Sequence, residues 1–232
     1  MKVEICANSV QSAVAAQEGG AHRIELCCNL KEGGLTPSSG TIQLARKWLA
    51  IEIFVLIRPR VGDFCYSDIE IETMLKDIFF CKENEVDGVV LGVLQKDNQI
   101  DMQNMALLIQ AARPMQVTFH RAFDVLANPV QGLEQLVELG VDRLLTSGQA
   151  TSAIAGQSFI KNLVQQAGER ITILPGGGLN PSNISKFVQD TNVSEVHLSA
   201  KQTITKGAGS LFAASYFETN AEEVRKIVGL LG

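Results

Sequence analysis

Three stretches of this 232-residue chain do the same thing at different places: Gly19-Gly20-Ala21-His22-Arg23-Ile24, Glu85-Val86-Asp87-Gly88-Val89-Val90 and Leu139-Gly140-Val141-Asp142-Arg143-Leu144. Each leaves a segment of helical periodicity, turns on small or polar residues and enters a short aliphatic run. A joint of this kind, met repeatedly, is the mark of a repeated βα unit.

Working outward from these joints, strand-like runs fall at about 2–7, 23–27, 52–57, 88–93, 115–120, 142–146, 171–175 and 194–199. Helical segments fall between them at about 9–18, 38–49, 67–85, 101–112, 128–139, 151–167 and 181–191, and a last one at 220–230 closes the chain. Start signals support several: Ser9, Thr36-Pro37-Ser38, Asp101, Asn128-Pro129 and Asn180-Pro181 each precede a helix, and Ser67 or Asp68 is placed to cap the third. Eight alternating units predict an α/β fold of the (β/α)8 TIM-barrel type, with residues 1–232 as a single domain. An open dinucleotide-binding sheet is disfavoured, because the glycine-rich Gly176-Gly177-Gly178 comes far too late for a first-strand fingerprint.

The balance of charge, 20 Lys and Arg against 25 Asp and Glu, gives a net −5 and argues against nucleic acid or a membrane surface as partner. The first apolar segment carries Lys2 and Glu4, and no apolar run approaches the length of a membrane span. Five cysteines without a CxxC spacing indicate neither a disulfide framework nor a zinc knuckle, so reduced thiols and a cytoplasmic location are expected.

Strand alternation then sorts the side chains. If Val3, Ile5, Ile24 and Leu26 face the helices, Glu4, Cys6, Glu25 and Cys27 face the lumen. The same parity turns Arg58, Thr118, His120, Glu195, His197 and Ser199 inward. Several of these lie near carboxyl strand ends, where barrel active sites are found. Glu25, Arg58, His120 and Asp124 are the candidates for catalysis, Glu25 and His120 as proton carriers and Arg58 as an anion holder. Glu4, His197 and Ser199 line the expected pocket. An anion is expected near Arg60, at Thr146, Ser147 and Gly148 after strand six, and at Gly176, Gly177 and Gly178 after strand seven. Each has a plainer reading as a loop, cap or satisfied ion pair. Cys6 and Cys27, on neighbouring strands, suit a soft ion such as Cu(I) but also suit the interior as small hydrophobes.

Residues 3–200 resemble the CutC family. The resemblance rests on Arg23-Ile24-Glu25-Leu26-Cys27, Glu32-Gly33-Gly34-Leu35-Thr36-Pro37-Ser38, Ile57-Arg58-Pro59-Arg60, Phe119-His120-Arg121-Ala122-Phe123-Asp124, Leu145-Thr146-Ser147-Gly148 and Pro175-Gly176-Gly177-Gly178. It implies a cytoplasmic barrel, a homodimer, a part in copper homeostasis and copper binding through Cys6 and Cys27. Two functions stay open on the residues alone: a Cu(I)-binding protein, or an enzyme acting on a small anionic metabolite bearing phosphate or carboxylate. A noncatalytic metabolite sensor would use the same pocket, and whether the chain is an enzyme is not written in its residues.

Overall fold

The computed structural model describes residues 1–207 and 214–232. Strands β1 (Lys2–Ala7), β2 (Arg23–Leu26), β3 (Glu52–Leu56), β4 (Gly88–Leu91), β5 (Gln116–Phe119), β6 (Arg143–Thr146), β7 (Thr172–Pro175) and β8 (Glu195–Leu198) form one parallel sheet in the order β7-β6-β5-β4-β3-β2-β1-β8. A parallel bridge between Gly176 and His197 joins β7 to β8 and closes the ring. Helices α1 (Val10–Glu18), α2 (Ser39–Trp48), α3 (Asp68–Glu83), α4 (Met102–Ala112), α5 (Pro129–Glu138), α6 (Gln157–Ala167), α7 (Ile184–Thr191) and α8 (Ala221–Leu231) complete a (β/α)8 barrel.

The caps explain most helix starts. Ser9, Ser38, Asp101 and Asn128 each accept a backbone N–H of the first turn, and Ser67 forms a capping box with Glu70. Two starts differ from expectation. Asn180-Pro181 does not open α7: Asn180 accepts from Ser182 while its own N–H donates to Asn183, which makes a turn that delays the helix to Ile184. Helix α6 begins at Gln157 rather than near 151, because the chain before it turns so that Gly156 lies against Ser147, where an added Cβ would meet the Ser147 carbonyl at 2.1 Å.

Burial follows strand alternation. Val3, Ile5, Ile24, Leu26, Val55 and Val117 join the core between sheet and helices, whereas Cys6, Cys27, Phe54, Leu56 and Val90 form a separate cluster inside the ring. Phe54 fits there because its partner across the β3–β4 register is Gly88; a Cβ at Gly88 would stand 2.6 Å from the ring.

One element was not expected. An antiparallel hairpin, β9 (Lys201–Lys206) and β10 (Ala214–Thr219), follows β8 and is tied to the barrel by hydrogen bonds from Asn8 to the Phe217 carbonyl and from the Thr219 N–H to Ser12.

Candidate functional site

The lumen is built in layers. At its floor Arg23 and Arg143 enter from the first residues of β2 and β6 and share Glu195, while Arg23 also bonds Glu4. Both guanidinium groups lie over the Phe54 ring, at 4.8 and 5.1 Å from its centre. These two arginines are the counter-ions that the inward acids require, and the sequence reading missed them. The same parity rule places them inside, but they sit at the joints, where they look like turn residues.

Above this floor stands a row of ionisable groups. Glu4 is 1% exposed. Burial alone would raise its carboxyl, but Arg23 and then His197 outweigh burial and hold it down at about 2. Its other oxygen lies 2.7 Å from His197 Nδ1. The remaining ring nitrogen, Nε2, faces Glu25 at 3.6 Å. Burial pushes the Glu25 carboxyl up, with the nearby Glu4 charge adding to it. Burial opposes protonation of His197, yet the hydrogen bond to Glu4 and the charges of both acids keep its pKa above the usual value.

The thiols complete this row. Cys6 Sγ and Cys27 Sγ lie 3.7 Å apart, both buried and both reduced. The contact with Cys27, then burial, then the negative neighbours raise the Cys6 thiol well above its normal range. Cys6, Glu25 and His197 offer donor atoms that all lie within 4.8 Å of one another, the one such group of three or more among the described residues.

The mouth opens into a cavity of about 750 Å³ lined by residues of most strand ends, among them Cys6, Glu25, Arg58, His120, Asp124, Gly177, Gly178, His197 and Ser199. Several expected site residues are engaged in holding loops. Arg58 donates to the carbonyls of Glu32, Gly34 and Gly62 and so pins the loops after β2 and β3 together, stacking on Phe64. Arg60 does not come to the mouth: its guanidinium is consumed by Asp63, Glu70 and the Cys65 carbonyl. Asp124 is an acceptor for Arg121, for the hydroxyls of Thr146 and Ser147 and for the N–H groups of Ser147 and Gln149. Thr146, Ser147 and Gly148 are therefore internally satisfied, the Gly148 N–H donating to Thr146, and present no free donor to an anion. Gly176 serves closure, since a Cβ there would press on Leu145 at 2.9 Å and His197 at 3.0 Å.

His120 also differs from its expected part. Its Nδ1 accepts the Ala122 N–H, and burial followed by the charge of Arg58 drives its pKa to about 3. It is a neutral ring at physiological pH, and the imidazole that meets Glu25 is His197.

A model of the CutC family matches residues 1–202. A CutC family protein of Parabacteroides distasonis is 47% identical over 97% of each chain. The human copper homeostasis protein cutC homolog is 43% identical, covering 97% of this chain and 86% of its own. A solved CutC structure from Streptococcus agalactiae superposes with a TM-score of 0.82 at 36% identity, over 86% of this chain and 98% of that one. Phosphoribosylanthranilate isomerase of Thermotoga maritima, at a TM-score of 0.62 and 14% identity, shares the fold.

Proposed function

Because the chain belongs to the CutC family, we propose that it serves copper homeostasis by binding Cu(I) at Cys6 and Cys27. The observation that carries this reading is the 3.7 Å separation of the two reduced sulfurs. With a metal–thiolate bond of about 2.3 Å, sulfurs so placed subtend an angle of about 107° at a shared ion. That is a bent pair, which leaves room for a further donor.

His197 stands by Cys6 and Glu25, whose donor atoms lie with its own within 4.8 Å of one another, a set that does not include Cys27. Glu4 occupies its Nδ1 and leaves Nε2 on the Glu25 side, the carboxylate–imidazole arrangement that orients metal-binding histidines. Soft thiolates with one imidazole favour Cu(I) over hard cations. The raised Cys6 thiol makes loading proton-coupled: the ion must displace a proton, so affinity rises with pH.

Anaerobic competition against a chromophoric Cu(I) chelator tests this. The parent should take up one equivalent, and the Cys6→Ser/Cys27→Ser variant should bind more than about a hundredfold more weakly, a loss beyond the range set by orienting groups. Equal affinity of the two proteins would dispose of the assignment, with circular dichroism establishing that the double variant is folded.

A further inference from the structure

We propose that the barrel mouth carries a second site distinct from the thiol pair: a pocket for a small organic oxyanion, whose anionic group is received by the loop after β7. This goes beyond copper binding and does not depend on it. The cavity volume is the first argument. About 750 Å³ falls inside the range of roughly 300–1,000 Å³ seen for small-molecule sites, and a bare ion held by two sulfurs fills a small fraction of it. Leu30, Leu56, Phe64 and Leu145 give the cavity apolar wall for the body of such a molecule.

The backbone supplies the receiving end. Gly177 and Gly178, at φ +99° and +82°, line the cavity together with Leu179. Among the described residues the N–H groups of Gly178 and Leu179 donate to no protein acceptor, while that of Gly177 is turned toward the His197 carbonyl by the β7–β8 bridge. Arg121 spends Nε on Asp124 and Nη2 on Ser147, leaving Nη1 only 3.8 Å from the position a Cβ would take on Gly177. Lys201, stacked on Phe217 at 4.3 Å, lines the same cavity. Unpartnered backbone donors beside a guanidinium, in a cavity that a lysine also lines, form an oxyanion receptor.

In the eight-strand ring β3 stands four places from β7, so the wall carrying Arg58 faces the glycine loop across the mouth. Arg58 and His120, 7% and 5% exposed, line the cavity, and Arg58 Nε and His120 Nε2 have no hydrogen-bond partner. Both atoms are enclosed by protein, with no surface toward the cavity, so the receiving groups are those of the glycine loop and its cations. Four acids also line the cavity. Asp124 is fully engaged by the loop after β6, Glu25 lies with the thiols and Glu32 lies on the Arg58 wall, whose guanidinium holds its carbonyl. Glu223 stands near the glycine loop, lining a shallow surface recess with Asn180, and opposes an anion there.

The test uses the full-length, ¹⁵N-labelled protein titrated at constant low ionic strength with inorganic phosphate and, separately, with acetate. The amide resonances of Gly178 and Leu179 should move together to saturation, and the probe that saturates at lower concentration names the anionic group. Lys201→Gln and Arg121→Gln, both at exposed positions, should each weaken binding roughly tenfold. Glu223→Gln should tighten it, and Cys27→Ser, at a thiol that does not line the cavity, should leave it unchanged. Shifts that never saturate with either probe, or binding indifferent to both cation variants, would overturn the proposal. Loss of the phosphate and acetate response in Cys27→Ser would overturn the separateness of the two sites, while leaving the copper assignment to its own assay.

Discussion

Replacing Glu4 by Gln isolates the charge at the centre of the barrel while keeping the side chain's shape. The carboxylate faces Arg23 on one oxygen and His197 on the other. Its folded pKa of about 2 stands against 4.5 for the free group. A carboxyl whose pKa is depressed by folding contributes stability that is complete above the unfolded value and vanishes as pH falls through the folded one. The difference is worth about 3 kcal/mol at pH 7 and about half that at pH 3. Gln mimics the protonated form, so Glu4→Gln should lose about that much at neutral pH and progressively less in acid. For a domain of this size the neutral loss lowers Tm by roughly 6–12 °C. Urea unfolding of both proteins at pH 7 and pH 3 reads the two gaps directly. A gap under about 1 kcal/mol at pH 7, or one that stays constant between the two pH values, would show that Arg23 and His197 do not hold the ionised form as described.

Other outcomes follow from the same geometry. Gly88→Val should destabilise by about 1–3 kcal/mol, because its side chain would collide with the Phe54 ring that fills the lumen; a neutral effect in urea unfolding would mean the ring has somewhere else to go. Asp124→Ala removes the acceptor of Arg121, Thr146, Ser147 and Gln149, and should cost about 2–3 kcal/mol while freeing the loop after β6 to exchange its amides. In an NMR titration His120 should show no ionisation between pH 5 and 8, given a pKa of about 3; a midpoint near 6.5 would contradict its burial beside Arg58. Apparent Cu(I) affinity should rise about tenfold for each pH unit per proton displaced from a thiol, and a flat profile would argue that Cys6 is not a ligand.

The barrel was legible because its strands are buried on both faces and bounded by turn residues, so runs such as Val3-Glu4-Ile5-Cys6 declare both their element and their inward side. The hairpin was not: Lys201-Gln202-Thr203-Ile204-Thr205-Lys206 is almost wholly exposed and offers no apolar stripe to detect. Within the site, parity found Glu4, Glu25, Cys6, Cys27 and His197, each of which proves to have another of the group beside it. It could not tell which polar loop residues were already satisfied. Thr146 and Ser147 look free in sequence because their acceptor, Asp124, lies more than twenty residues earlier. Arg60 looks like an anion holder for the same reason, its partner Glu70 belonging to the following helix. Local pattern reports orientation; hydrogen-bond saturation is a property of the assembled loops.

Seven of the eight junctions around the ring are ladders, while that between β7 and β8 is the single bridge from Gly176 to His197. The stave most easily parted from its neighbour is thus the one that carries the imidazole beside the thiols. An ion gripped by that imidazole and by Cys6 would tie β8 more firmly to β1, the neighbour it already pairs with, and leave the β7–β8 edge as the place where the cylinder parts.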